Sequence, residues 1–280
     1  MRESVRRLAG TIEGRPAYRH VFEIGLVTIA FLLYFTVRGL VVDRADEALA
    51  NANDIIELER SLGIYWEPRL QELIIDRRAI VQAMNFVYFW LDFPLIVAVG
   101  LWMYFRHRHE YTVTRDAMLL SGALSLIIYN FYPVMPPRLL PSGDFIGTIE
   151  KYSDLSYQAA STQAFVNPYA AVPSLHFGWA VILGGAMFLT FRNPVLRGVG
   201  LLLPWAQMAA IVFTANHYIV DAFVGLAVCL VGVALAWGMQ RWFYPWCRSY
   251  LTTGRTQQAV VGGAWPEIGG RLTAGDGRPP

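Results

Sequence analysis

Long apolar blocks alternate along the chain with short polar, basic or proline-marked stretches. Six blocks stand out, at 21–42, 80–105, 117–134, 174–191, 199–214 and 218–240. Most reach the ~20 residues a helix needs to cross a bilayer core. The fifth is short and holds Pro204. The pattern predicts an all-α integral membrane protein with six transmembrane helices. The first block follows a long basic stretch, and no small-residue cleavage site comes after it. It is therefore expected to stay as a helix rather than to be removed as a signal peptide.

Two stretches between and beyond the blocks have their own character. In 43–79, charged residues alternate with Ile55, Ile56, Leu58 and Leu62 at helical spacing. Asp43 is placed to cap a first helix, and Pro68 suits the first turn of a second. This predicts an amphipathic helical pair on the outer face of the membrane. The tail is rich in Gly, Pro, Thr and Arg and predicts disorder. The expected organisation is a cytoplasmic segment at 1–20, a six-helix domain at 21–245 and a disordered cytoplasmic tail at 246–280. Outer segments at 43–79 and 135–173 belong to the six-helix domain.

Composition supports the membrane reading. The 280 residues are 55% hydrophobic and only 16% charged, against about a quarter charged in soluble domains. The net charge of +2 makes no case for nucleic acid. Cys229 and Cys247 offer neither a disulfide framework nor metal-type spacing. The basic residues set the orientation. An even number of helices puts both termini on one side, where fifteen basic residues fall, against seven on the other. The positive-inside rule makes the terminal side cytoplasmic, although Arg77 and Arg78 run against it. His107 and His109, in RHRHEY, then belong to a solvated cytoplasmic loop.

The candidate chemistry lies at two helix mouths. His176 stands in PSLHFGW and His217 in NHYIVDAF, with Asp221 one helical turn after His217. In the six-helix topology both helices start on the outer side, and the loop carrying Arg138 in MPPRLLP lies there too. His176, His217, Asp221 and Arg138 thus converge on one outward pocket. The set suits phosphoryl transfer. Asp221 can orient His217 as nucleophile, and His176 can serve as acid and base. Arg138 can bind phosphoryl oxygens bidentately, and the helix start at Ser174, after Pro173, can present free N–H groups. Asn85, Asn130 and Tyr218 are expected to line the pocket. Asp92 lies deeper, as a functional group or as a tie between helices. Taken singly, each residue has a plainer role, as an interfacial anchor or a satisfied polar pair. Zinc held by two His and one Asp ranks well below phosphohistidine chemistry, so neither metal nor cofactor is expected.

PSLH at His176 and HYIVDAFVG at 217–225, with PPRLL upstream, resemble the type 2 phosphatidic acid phosphatase superfamily. The resemblance covers about 129–231. It implies a metal-independent reaction with His217 as nucleophile, Asp221 as its orienting partner and His176 as acid–base residue. Two members of the family pattern are missing. Its arginine before the nucleophile would fall at Ile211, within AAIVFTANH, and its upstream lysine at Phe131. This reduced pattern is more similar to the inositol phosphorylceramide synthase-like, or inositolphosphotransferase, branch. The implied substrate is a membrane phospholipid or an isoprenoid or sphingolipid phosphate, with water or an alcohol as acceptor. A non-catalytic lipid-binding or transport protein on the same fold is the alternative.

Overall fold

The computed structural model describes residues 16–38, 44–152, 168–247 and 249–250. The chain divides into two compact units, Met1–Trp237 and Gly238–Pro280. Asp43, residues 1–15, the middle of the 135–173 loop and the tail beyond 250 lie outside the described residues.

The described residues of the first unit are helical, with one isolated bridge between Val134 and Ala170. In order they form α1 (Pro16–Arg38), α2 (Ala45–Leu62), α3 (Glu67–Ile75), α4 (Arg78–Trp90) and α5 (Phe93–Arg106). There follow α6 (Arg108–Phe131), a 3₁₀ turn at Pro137–Leu139, α7 (Thr148–Tyr152), α8 (Leu175–Thr190), α9 (Pro194–Phe213) and α10 (Ile219–Gly238). Helix α9 and the helix starting at Ile219 are long and apolar enough to cross a membrane. The bent pair α4–α5 makes a third if it is one span, and α8 is a shorter apolar helix. An all-α membrane protein is what these helices make. Among the described residues these make two spans, or three if the bent pair is one.

Three elements depart from the sequence pattern for definite reasons. The block at 80–105 is not one helix: it breaks at Leu91–Asp92 with a 43° bend. Pro94 has no N–H to return to the Trp90 carbonyl, and its ring crowds that carbonyl, so the first helix stops. The fifth block is longer than its apolar run. Asn193 accepts the Val195 N–H at 2.8 Å and Pro194 opens the first turn, so α9 starts ahead of Arg197 and carries Pro204 inside it. The basic stretch 106–115 is mostly helix, since α6 begins at Arg108 and only His107 separates it from α5.

Small residues let the helices of the core approach closely. A Cβ on Gly232 of α10 would stand 2.7 Å from the Ala117 carbonyl of α6. One on Gly184 of α8 would strike the Gly200 carbonyl of α9, and one on Gly225 of α10 the Ser174 carbonyl. Around these contacts Val99, Met103, Leu183, Met187 and Leu203 form a dry core.

Helices α2 and α3 do form as a pair, with Pro68 in the first turn of α3. Arg44, not Asp43, occupies the N-cap position of α2. The pair is docked on protein rather than merely laid on a surface. Ala48, Ala52, Ile55 and Ile56 are buried against Val134, Met135, Val172 and Tyr218. This caps the end of the bundle that carries both histidines.

In the second unit, a π-helical turn at Met239–Phe243 leads into a short helical stretch. Trp242, Phe243, Trp246 and Tyr250 are exposed there. Rings of this kind favour the headgroup level of a bilayer.

Candidate active site

His217 sits in the tight connection between α9 and α10. The chain turns through Ala215, whose φ of 55° is left-handed and rare for a residue with a Cβ. Backbone bonds hold this turn: Ala215 N–H donates to the Val212 carbonyl at 2.9 Å and Asn216 N–H to Ile211 at 3.0 Å. The His217 side chain is 6% exposed and the Asp221 side chain fully buried. Its Nδ1 lies 2.8 Å from the Ala171 carbonyl and 3.3 Å from Asp221 Oδ2. A carbonyl oxygen only accepts, so Nδ1 carries a proton, and in the neutral ring Nε2 then holds the lone pair. The nearer orienting group is thus a backbone carbonyl, with Asp221 second. Asp221 also accepts the Tyr218 N–H at 2.9 Å on Oδ2, and its own carbonyl accepts the Ser174 N–H at 2.9 Å. It therefore ties the start of α10 to the start of α8.

His176 lies in the first turn of α8, after Ser174 at the N-cap. Pro173 precedes the cap, and its carbonyl accepts the buried Tyr129 hydroxyl at 2.7 Å. The His176 ring stacks on Tyr88 with centroids 4.3 Å apart, and its Nε2 is 3.4 Å from Asp92 Oδ2. His176 and Asp92 are 20% and 17% exposed, so this side of the site is the more open. The two imidazoles are neighbours, their centroids 5.5 Å apart and their planes tilted by 58°. The helix break therefore delivers Asp92 to His176.

Arg138 is fixed to the same connection. Its N–H donates to the Ala215 carbonyl at 2.9 Å, and its Nη1 donates to Asn216 Oδ1 at 2.6 Å. Asn216 is held in turn by Thr214 Oγ1 at 2.7 Å. The Ser174 hydroxyl is wholly buried and has no hydrogen-bond partner among the described residues. Leaving such a group unpaired costs about 1–3 kcal/mol, which a phosphoryl oxygen would recover.

The other expected lining residues are occupied elsewhere. Tyr218 is buried in the apolar cluster under α2, its hydroxyl on the Met135 carbonyl at 3.0 Å. Asn85 is buried and exchanges two hydrogen bonds with Thr148, at 3.0 and 2.8 Å, which tie α4 to α7. Asn130 donates to Leu126 of its own helix at 2.8 Å, and its carbonyl accepts from Arg44. Ile211 is fully buried and Phe131 80% exposed, so the two missing family positions are filled by a core residue and an outward-facing ring. Among the described residues no group of three or more His, Cys, Asp or Glu is arranged to hold a metal ion.

Several site residues carry no mark in the linear pattern. Tyr88, Ala171 and Asn216 act through position alone. Glu59 and Glu67 sit among charges that resemble a solvated helix face, yet both are fully buried. The Ile219 N–H donates to Glu67 Oε1 at 2.8 Å, and the Val220 N–H to Glu59 Oε1 at 2.7 Å.

An apolar helical bundle thus brings two neighbouring histidines, an arginine and a buried serine hydroxyl together at one end. The family model of the PAP2 superfamily matches residues 53–235, well over half the chain, and the chain belongs to that superfamily. Members are generally phosphatases or phosphotransferases, which supports an enzyme of that kind with a lipid phosphate substrate in a membrane. No curated protein and no solved structure matches it.

Proposed function

We propose that the protein transfers or hydrolyses a phospho-head group of a membrane lipid through a phosphohistidine at His217. The observation that carries this reading is the 2.8 Å bond from His217 Nδ1 to the Ala171 carbonyl, which leaves Nε2 as a base with a free lone pair. Nε2 attacks phosphorus, the P–O bond to the leaving group breaks, and His176 gives that oxygen a proton. Water or an alcohol then loses its proton to His176, attacks the phosphohistidine and frees His217. Asp92 holds the His176 ring while it exchanges protons. Arg138, aimed by Asn216, and the Ser174 hydroxyl bind the phosphoryl oxygens.

The loss of clamps at Ile211 and Phe131 favours the inositolphosphotransferase-like branch, because a site with a single arginine suits a phosphodiester head group. With six spans and the positive-inside bias, the site faces the outer side and both termini the cytoplasm.

The test is the purified protein against a panel of lipid phosphates and phosphodiesters, with and without alcohol acceptors and with a strong chelator. Free phosphate and new phospholipid are both measured. Turnover that survives the chelator, with an acid-labile phosphoprotein that His217→Ala lacks, is the expected result. Full turnover in His217→Ala overturns the mechanism. Lipid binding with no turnover in the wild type makes the protein a non-catalytic member of the fold.

A further inference from the structure

The first turn of α10 is capped by three acidic side chains, two of which come from far away in sequence. A helix start leaves its first backbone N–H groups without partners inside the helix. Here three consecutive ones are taken: Tyr218 by Asp221, Ile219 by Glu67 and Val220 by Glu59, at 2.9, 2.8 and 2.7 Å. Glu59 ends its approach from α2 and Glu67 from α3, and neither has any exposed surface. Both Oε2 atoms lack a donor if the groups are counted as carboxylates. With one proton between the two side chains, each carboxyl can serve the other as a hydrogen-bond partner.

Two buried carboxylates side by side cannot both stay charged. Burial first, and then Glu67, push the Glu59 carboxyl up from 4.5 to about 9. Burial raises Glu67 as well, against the pull of its hydrogen bonds to Glu59 and the Ile219 N–H. The groups facing the pair are Asp221 from α10, Tyr218 just ahead of it, and Tyr65 from the link between α2 and α3. Arg60 packs over Tyr65 at 5.0 Å.

We propose that Glu59 and Glu67 are positioning residues for the reaction at His217, sharing one proton and locking the turn that aims its ring. His217 is the residue before this turn, so the direction of its Nε2 follows the turn. Outside the helical cap, α2 and α3 have a second role: they deliver these two side chains. The inference rests on His217 as nucleophile.

The test uses the full chain in detergent, with Glu59→Gln, Glu67→Gln, the double Gln variant and Glu59→Ala. A single glutamine keeps the acceptor for its backbone N–H and supplies the shared hydrogen permanently. Each single Gln variant is expected to keep kcat within about twofold of wild type. The double variant sets two amides donor to donor, and Glu59→Ala removes a cap. Both are expected to lose about 10- to 100-fold in kcat with little change in KM, as for a nucleophile displaced by about 1 Å.

Melting profiles against pH form a second, activity-free readout. A raised folded-state pKa gives stability that is full below the unfolded value and lost as pH climbs through the folded one. The wild type should therefore lose melting temperature between about 4.5 and about 9, and Glu59→Gln should remove that part of the slope. Parallel profiles for wild type and Glu59→Gln, or a Glu59→Gln kcat as low as that of Glu59→Ala, overturn the proposal. If the wild type shows no turnover, the nucleophile assignment fails instead, and the profiles still decide whether a proton is shared.

Discussion

The two histidines live in opposite surroundings. His217 is buried in a connection whose every backbone turn is fixed, and its Nδ1 has two acceptors, one of them main chain. His176 is three times as exposed, lies flat on Tyr88 and meets its carboxylate at 3.4 Å across a helix break. Rigidity suits a nucleophile, whose lone pair must point at phosphorus. A more open ring held by side chains suits a group that takes up and gives back protons in each half-reaction. The contrast separates the two proposed roles better than the sequence, where both are lone histidines at helix mouths.

The strongest way to break the comparison is His217→Ala. Turnover is expected to fall by roughly 10³-fold or more, with the melting temperature in detergent close to wild type. His176→Ala is the sharper probe. It should lose about 10²- to 10⁴-fold on lipid substrates, and much less on an aryl phosphoester whose leaving group needs no proton. Equal loss on both substrates would remove the acid role from His176. Arg138→Lys comes next. A lysine keeps the charge but not the fork that Asn216 orients, so KM should rise about tenfold, with kcat changing less. The smallest effect is structural. Gly225→Ala puts a methyl into the Ser174 carbonyl, where the two halves of the site touch. It should cost about 1–3 kcal/mol of stability, read as a lower melting temperature, and should slow both half-reactions together.

Much of this was legible in the sequence. The apolar blocks mark the core helices, Pro68 and the spacing of Ile55 and Ile56 mark the paired helices, and the start of α8 follows from Ser174 after Pro173. His176, His217 and Asp221 come together as their helix starts imply. What escaped the pattern depends on three-dimensional direction. The break at Asp92 follows from Pro94, but only the bent chain brings Asp92 to His176. Asn85 and Asn130 are polar in apolar helices because other backbone or side-chain groups consume them, not because a pocket needs them. Tyr218 follows a site histidine and still points into the core. Glu59 and Glu67 resemble a wet surface because hydropathy does not record that a helix end can absorb two acids.

The capping of α10 has an electrostatic consequence for the choice of substrate. A bare helix start would lend about half a positive charge to a bound anion. Here those N–H groups are already taken by Glu59, Glu67 and Asp221, and the Asp92 carboxyl lies beside His176. Of the three clamp positions that the family resemblance names, Arg138 is the one that keeps a cation in the sequence. A phosphomonoester, with close to two negative charges near neutral pH, meets more repulsion in such surroundings than a phosphodiester with one. On the proposed reading, the site thus prefers a lipid whose phosphate is already esterified on two sides.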